Sequence, residues 1–150
     1  VVERVEHMLS PLARAVEVSL ELKLQPGCVV LATEDDLYQI AFNLMENAVK
    51  YNLPGGRVLV TLTADGGRVV LRVEDTGVGI PKADLPKIFD RFYRVDKARS
   101  RAAGGTGLGL SIVRDTVLQH GGAVTARRRE PEGTCFEVSF AQWNGEEVGR

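Results

Sequence analysis

A glycine-rich stretch that runs directly into a helix has the clearest chemical potential in this sequence. It reads Gly104-Gly105-Thr106-Gly107-Leu108-Gly109-Leu110-Ser111-Ile112-Val113. Glycines let a backbone turn its amides outward, and a helix start adds unpaired N–H groups and a positive dipole end. Phosphate groups bind to such surfaces, although glycine-rich loops also serve as plain hinges. No Lys-Ser or Lys-Thr pair follows the last glycine, as a P-loop requires, and the spacing is not that of the dinucleotide fingerprint.

A second group of polar side chains borders the apolar stripe of a predicted helix. Thr33-Glu34-Asp35-Asp36 has the form of a helix cap with an acidic first turn, and it predicts a helix over about residues 34–51. The buried stripe comprises Leu37, Ile40, Ala41, Leu44, Met45, Ala48 and Val49. The bordering side chains are Asn43, Asn47, Lys50 and Tyr51. Because border positions face a cleft more readily than open water, these four residues are candidates for a binding site.

Two more stretches carry candidate residues. Asp75 ends a predicted strand and enters Thr76-Gly77-Val78-Gly79-Ile80-Pro81, a pattern that also fits an ordinary tight turn. Residues 82–103 begin with apolar side chains and then become polar and basic. A cationic loop that ends at a phosphate-type glycine turn has the composition of a lid over polyphosphate, and we predict such a lid at roughly 94–104. The alternative for this loop is a solvated connection.

The remaining patterns predict a sheet with helices packed against it. An initial helix is expected over 1–15, and another helix runs from the glycines to about Gln119, where Gly121-Gly122 ends it. Strands are predicted over residues 16–24, 28–32, 57–63, 68–75, 123–129 and 134–140, with Asp65-Gly66-Gly67 forming a hairpin. This order of elements predicts an α+β fold.

Size and composition restrict the classes of function. The chain has 150 residues and is 44% hydrophobic, which supports one domain, predicted over 1–142 with a C-terminal tail over 143–150. A net charge of −1 offers no general attraction to nucleic acid or to an anionic membrane. No apolar run is long enough for a transmembrane helix. Cys28 and Cys135 both fall in predicted strands, where reduced thiols act as small apolar residues.

Taken in order, four motifs resemble the asparagine, first glycine, phenylalanine and second glycine boxes of bacterial sensor histidine kinases. They are Asn43-x-x-x-Asn47-Ala48-x-Lys50-Tyr51, Asp75-x-Gly77-x-Gly79-Ile80, Phe89-Asp90-Arg91-Phe92 and Gly105-Thr106-Gly107-Leu108-Gly109-Leu110. Gly133-Thr134-x-Phe136 resembles the late glycine-threonine turn of the same family. The resemblance extends to Phe140 and implies a Bergerat-type ATP-binding fold. That fold is a two-layer α/β sandwich with a mixed, mostly antiparallel sheet and three main helices on one face.

The resemblance implies a role for each residue in binding ATP and magnesium. Asn43 and Asn47 lie one turn apart, which suits a hard cation such as Mg²⁺ that bridges phosphates. The carboxylate of Asp75 would accept the exocyclic amine of adenine, and guanine offers a carbonyl there. Lys50 would reach a phosphate, and Tyr51 would lie against the base. The other expected nucleotide contacts are Gly77, Gly79, Ile80, Arg94, Gly105, Thr106, Gly107, Leu108, Gly109, Leu110 and Thr134. Asn47, Lys50 and Arg94 are the expected catalytic residues.

The resemblance also implies partners that are separate from this domain. A histidine kinase transfers the γ-phosphate to a histidine on a helical hairpin, which dimerises the parent, and the phosphate then passes to a response regulator. His7 precedes Ser10-Pro11 in a superficially similar way, but no acidic residue follows it and there is no room for a two-helix hairpin before the first strand. We therefore expect the acceptor hairpin to lie upstream of Val1 in a homodimeric parent kinase at the bacterial membrane, with this domain in the cytoplasm.

Three other activities occur on the same type of fold. ATPases of the gyrase, chaperone and mismatch-repair type carry a glutamate general base one helical turn before the magnesium asparagine. That position here is Asn43, and an amide cannot take a proton from water. Glu46 is the nearest carboxylate, but it lies about 100° around the helix from Asn47, so it points away from the expected magnesium site. An ATP-sensing module without transfer and a serine kinase of the anti-sigma type remain alternatives.

Overall fold

Five strands form a single mixed sheet. A computed structural model describes residues 1–91, 93 and 109–143. The strands are β1 (Ser19–Leu24), β2 (Arg57–Asp65), β3 (Arg68–Asp75), β4 (Ala123–Arg128) and β5 (Thr134–Ala141). Their spatial order is β1-β2-β3-β5-β4. Only the pairing of β1 with β2 is parallel, and the other three pairings are antiparallel.

Three helices cover one face of this sheet within the described residues. They are α1 (Val2–Ala15), α2 (Glu34–Lys50) and α3 (Gly109–Gln119). Helix α1 packs against β1, α2 lies over β2 and β3, and α3 lies over β4. The core between the layers includes Leu44, Val60, Val73, Val113 and Phe136, all of which are buried. The predicted α+β sandwich with a mostly antiparallel sheet is confirmed.

Helix α2 forms as its sequence predicts and is the centre of the helical layer. The Thr33 hydroxyl accepts the Asp36 N–H at 3.1 Å, which caps the first turn. At the far end Tyr51 is the C-cap. Asp36 also lies 2.8 Å from Nε2 of His120, just beyond the last residue of α3. This hydrogen bond holds the pKa of the Asp36 carboxyl below its usual value and joins the start of α2 to the end of α3.

Two predictions about the first strands are wrong. Strand β1 begins at Ser19 rather than at residue 16, because Glu17 has a φ of 59° and interrupts the extended backbone. Residues 28–32 form no strand. The Val29 N–H bonds to the side chain of Gln142 at 3.2 Å, and its carbonyl accepts the Trp143 N–H at 2.8 Å. These isolated contacts satisfy the backbone of Val29 without a strand partner. Cys28 lies outside the sheet, whereas Cys135 is buried in β5.

Between the Asp75 turn and residue 91, the chain contains little regular structure. A single 3₁₀ turn covers Leu85–Lys87. Phe89 anchors the segment, because its ring lies edge-on to that of Phe136 at 6.1 Å between centroids. The predicted lid over 94–104 and most of the predicted tail over 143–150 lie outside the described residues. The domain limits at 142 and 143 therefore remain predictions.

Candidate functional site

The centre of the candidate site is the carboxyl group of Asp75, at the end of β3. It is buried, with 7% of the residue exposed. Its Oδ1 accepts the N–H of Gly77 at 2.9 Å and the N–H of Thr134 at 3.3 Å. Both hydrogen bonds that the described residues make to this carboxyl go to Oδ1. Oδ2 can therefore accept a hydrogen bond from a ligand.

The environment of Asp75 opposes its ionisation. Burial raises the pKa of this carboxyl to about 6, against an ordinary value of 3.8. The Gly77 and Thr134 amides and the positive charge of Arg129 act in the opposite direction but do not offset burial. A carboxylate held in this way gains from any donor that a ligand brings to it. An amino group on a flat, apolar base would be such a donor.

Two glycines allow the backbone of the Asp75 turn to contact its neighbours closely. Gly133 has a φ of 102°, and a Cβ at that position would collide with the Asp75 carbonyl oxygen. A Cβ at Gly77 would lie 2.6 Å from the Tyr51 carbonyl oxygen. The Asp75 turn is therefore held between the β4–β5 connection on one side and the end of α2 on the other.

The polar border of α2 forms the second part of the site. Asn43, Asn47, Lys50 and Tyr51 are all half-buried, as expected for side chains at the edge of a cleft. Lys50 Nζ lies 3.4 Å from Glu46 Oε1 on the preceding turn. The Glu46 carboxylate is therefore paired with the lysine. The Asn oxygens are neutral, hard donors of the kind that Mg²⁺ accepts alongside phosphate and water.

The start of α3 lies against this polar border. A Cβ built on Gly109 would lie 3.3 Å from the Oδ1 atom of Asn43. Gly109 and Leu110 are the first residues of α3 and contribute its N-terminal amides. A helix N-terminus next to the Asn43 amide side chain favours an anionic ligand such as phosphate.

Two ion pairs connect the phenylalanine-box segment to α3. Arg91 lies 3.9 Å from Asp115, and Asp90 lies 3.8 Å from Arg114. Both pairs are long and largely exposed, so each contributes little to stability. They orient the segment toward the helix that begins at the candidate phosphate site.

Most of the residues that the sequence predicts to bind the nucleotide lie close together within the described part of the structure. Asp75, Gly77, Gly79 and Thr134 meet at one end of the sheet, and Ile80 packs against the core beside them. The amide through which Thr134 contacts Asp75 belongs to its backbone. Arg94, Gly105, Thr106, Gly107 and Leu108 lie outside the described residues, and their roles remain predictions.

Sequence reasoning missed Asn52 and Thr76. Asn52 is buried directly after α2, with 8% exposure, and its side chain bonds to the start of β2. The Thr76 hydroxyl bonds to the same strand. Neither residue carries a distinctive spacing, because both are ordinary polar residues in turns. Their importance follows only from which turns the fold brings together.

The described part of the chain offers neither a cluster of metal ligands nor a helix that could cross a membrane. No group of three or more His, Cys, Asp or Glu residues there could hold a metal ion. Among the same residues, no helix combines the length and the apolar character that membrane crossing requires.

A two-layer sandwich whose sheet presents a buried aspartate beside a polar helix border defines a nucleotide-binding domain. The chain belongs to the histidine kinase-, DNA gyrase B- and HSP90-like ATPase family, whose sequence profile matches residues 32–143. Nucleotide use follows from this membership. The family resemblance that the sequence motifs predicted is confirmed.

The chain is similar to several sensor histidine kinases. Sensor histidine kinase RppB of Synechocystis sp. (strain ATCC 27184 / PCC 6803 / Kazusa) is 40% identical over 86% of this chain and 29% of RppB. The structure of a mycobacterial sensor histidine kinase, MprB, superposes with a TM-score of 0.77 at 32% identity, covering 93% of each chain. Full-length ShkA in complex with AMPPNP gives a TM-score of 0.81 at 34% identity, covering 96% of this chain and 30% of ShkA. The chain thus spans under a third of RppB and of ShkA.

Proposed function

We propose that this domain binds Mg-ATP and donates the γ-phosphate to a histidine on a separate phosphoacceptor hairpin, in two-component signal transduction. The observation that carries the proposal is the buried Asp75 carboxyl, with Oδ1 held by two backbone amides and Oδ2 left for a ligand. The similarity to ShkA, whose structure is a complex with AMPPNP, supports a nucleotide at this place.

The base end of the nucleotide is assigned to the Asp75 turn. Asp75 accepts the exocyclic amine of adenine, which guanine cannot provide. The pocket for the base is lined by Gly77, Gly79 and Ile80. Tyr51, at the end of α2, lies against the base. Thr134 supports Asp75 through its backbone N–H, which lies 3.3 Å from Oδ1.

The phosphate end is assigned to the border of α2 and the start of α3. Asn43 and Asn47 would hold Mg²⁺, which supplies charge neutralisation between phosphate oxygens when bound. Lys50 contacts a phosphate, and the amides of Gly109 and Leu110 face the phosphate chain. Arg94 and the loop amides of residues 105–108 complete this assignment, and Asn47, Lys50 and Arg94 position the group that is transferred.

Transfer to an acceptor is favoured over hydrolysis because neither of the nearest candidates on α2, Asn43 and Glu46, is suited to act as a general base beside Asn47. Asn43 cannot accept a proton, and Glu46 pairs with Lys50 at 3.4 Å. Phosphoryl transfer requires mainly positioning and charge neutralisation, so an acceptor imidazole that arrives in line can react. His7 is exposed on α1, and α1 packs on α2 and β1 as part of this domain. His7 is therefore not assigned as the phosphate acceptor.

The parent protein is proposed to be a homodimeric sensor kinase of the bacterial membrane. The acceptor hairpin belongs to that parent, and a response regulator receives the phosphate from it. This domain would then act on the cytoplasmic side without inserting into the membrane or binding nucleic acid.

The test mixes the domain with radiolabelled ATP, magnesium and the acceptor hairpin of its parent. Label should appear on the hairpin, and Asn47→Asp should abolish it by altering the charge and geometry at the cation. Gln39→Glu, an equivalent change at an exposed position of α2, should leave the labelling intact.

Four results would redirect the proposal. Tight ATP binding without label on the hairpin would make the domain a sensing module. Rapid phosphate release without an acceptor would make it an ATPase. Label on His7 would indicate self-phosphorylation, and label on a serine of an added protein would indicate a serine kinase.

A further inference from the structure

The side chain of Asn52 joins the end of α2 to the start of β2. Its Nδ2 donates to the Arg57 carbonyl at 3.0 Å, and its Oδ1 accepts the Leu53 N–H at 2.8 Å. The residue is 8% exposed, so these bonds replace water that burial has removed. Asn52 follows Tyr51, the C-cap of α2, and therefore fixes the helix end to the sheet.

Thr76 connects the Asp75 turn to the same point. Its Oγ1 accepts the Arg57 N–H at 2.9 Å, and its backbone N–H donates to the Arg57 carbonyl at 3.1 Å. The hydroxyl also lies 3.5 Å from Asn52 Oδ1. Both backbone polar groups of Arg57 are thus bonded to Thr76, and Asn52 shares the carbonyl.

The contact between the turn and the helix end is close. A Cβ on Gly77 would lie 2.6 Å from the Tyr51 carbonyl oxygen and 3.1 Å from the Asn52 Cα. Gly77 also donates to Asp75 Oδ1. A shift of the turn would therefore move the Asp75 carboxyl relative to Lys50 and Tyr51.

We propose that Asn52 and Thr76 are positioning residues that set the distance between the base-binding Asp75 turn and the phosphate-binding border of α2. This inference rests on the proposed function, because only a ligand that spans both parts depends on that distance. ATP spans both, whereas adenosine contacts only the base end. Fixing the two parts before binding reduces the ordering that ATP must impose.

The test compares ATP and adenosine binding to Thr76→Val, which removes the hydroxyl at nearly constant volume. Loss of the hydroxyl contacts should weaken ATP binding about three- to tenfold, which is the equivalent of one ordinary hydrogen bond. Adenosine binding, followed by NMR titration, should change less than about twofold, because the Asp75 pocket itself is intact. Thr76→Ser retains the oxygen and should restore ATP affinity to within about twofold of wild type.

Other patterns would overturn the inference. Equal loss of ATP and adenosine would mean that Thr76 shapes the base pocket alone, and a lower melting temperature with unchanged affinities would mean a structural role only. Asn52→Ala provides a second test through the other residue, with the same expected ATP-selective loss, if Thr76→Val does not fold. Wild-type protein that binds neither ligand would refute the proposed function itself, and the positioning role with it.

Discussion

Replacing Asp75 by asparagine should weaken ATP binding while making the domain more stable. The substitution keeps the shape of the side chain and keeps an oxygen for the Gly77 and Thr134 amides. It removes the negative charge, and it places an NH₂ group where Oδ2 lies. That group would face the exocyclic amine of adenine, so a donor would meet a donor. We expect a loss of about 1–3 kcal/mol, which is tenfold or more in affinity for much of that range.

The stability change has the opposite sign because of the raised pKa of Asp75. Folding shifts this pKa from 3.8 to about 6, so the folded state binds the proton more tightly than the unfolded chain. The stability that the bound proton contributes is complete at pH values below the pKa of Asp75 in the unfolded chain, and it is lost as the pH rises through about 6. At neutral pH the free energy of unfolding is therefore lower, by roughly 3 kcal/mol, than it would be with a protonated Asp75 side chain.

Asparagine avoids this penalty but adds a buried N–H for which the described residues offer no acceptor in the free domain. Allowing about 1 kcal/mol for that group leaves a net stabilisation of about 2 kcal/mol. In a domain of this size the melting temperature should rise by roughly 5 °C. Glu21→Gln, which neutralises an exposed carboxylate on β1, should change neither quantity.

Thermal unfolding by circular dichroism and ATP titration by calorimetry at pH 7.5 measure the two effects separately. Unchanged affinity in a folded Asp75→Asn variant would refute the assignment of Asp75 to adenine. Reduced affinity together with reduced stability would refute the burial argument, because the carboxylate would then be a net stabilising group.

Three further predictions concern the same site. ATP affinity should fall about tenfold between pH 7 and pH 5, because Asp75 is protonated with its pKa of about 6. Calorimetry measures this change, and the Asp75→Asn variant serves as the control that reveals any titration of the nucleotide itself. Gly133→Ala should lower the free energy of unfolding by about 2 kcal/mol or more in urea denaturation, because its φ of 102° and the collision with Asp75 disfavour a side chain; Gly27→Ala, with positive φ but open space, isolates the strain term. Glu46→Gln should tighten ATP binding about twofold by releasing Lys50. The same substitution made in a Lys50→Ala background should leave ATP affinity unchanged, because the effect acts through the lysine.

The sequence was sufficient for elements whose signals are local. Thr33 and the acidic residues after it marked the start of α2, and the apolar stripe marked its length to within one residue. The hairpin between β2 and β3 was predicted by Gly66 and Gly67, and both have positive φ values in the structure. In each case the residues that determine the conformation are neighbours in the chain.

Predictions failed where distant residues determine the conformation. Residues 28–32 look like a strand, but the backbone of Val29 bonds to Gln142 and Trp143 instead of to a strand partner. The left-handed backbone of Glu17 delays β1, and no residue type nearby signals it. The proposed roles of Asn52 and Thr76 could not be predicted either, since they depend on the end of α2, the start of β2 and the Asp75 turn, which meet only in the folded chain.

The association of Asp75 with the Gly133-Thr134 turn shows why separate weak motifs are informative together. A carboxylate with 7% exposure is unfavourable alone, and one of its two amide donors comes from a residue 59 positions away. That donor reaches Oδ1 only because Gly133 lets the backbone lie against the Asp75 carbonyl. An aspartate at the end of β3 and a Gly-Thr pair at the start of β5 are thus two parts of one structure. Even so, the pKa remains raised, so the two amides do not fully compensate the buried charge. Under the proposed function, an adenine amine at Oδ2 would supply a further hydrogen bond to this carboxylate, and the aspartate is then more informative about the ligand than about the fold.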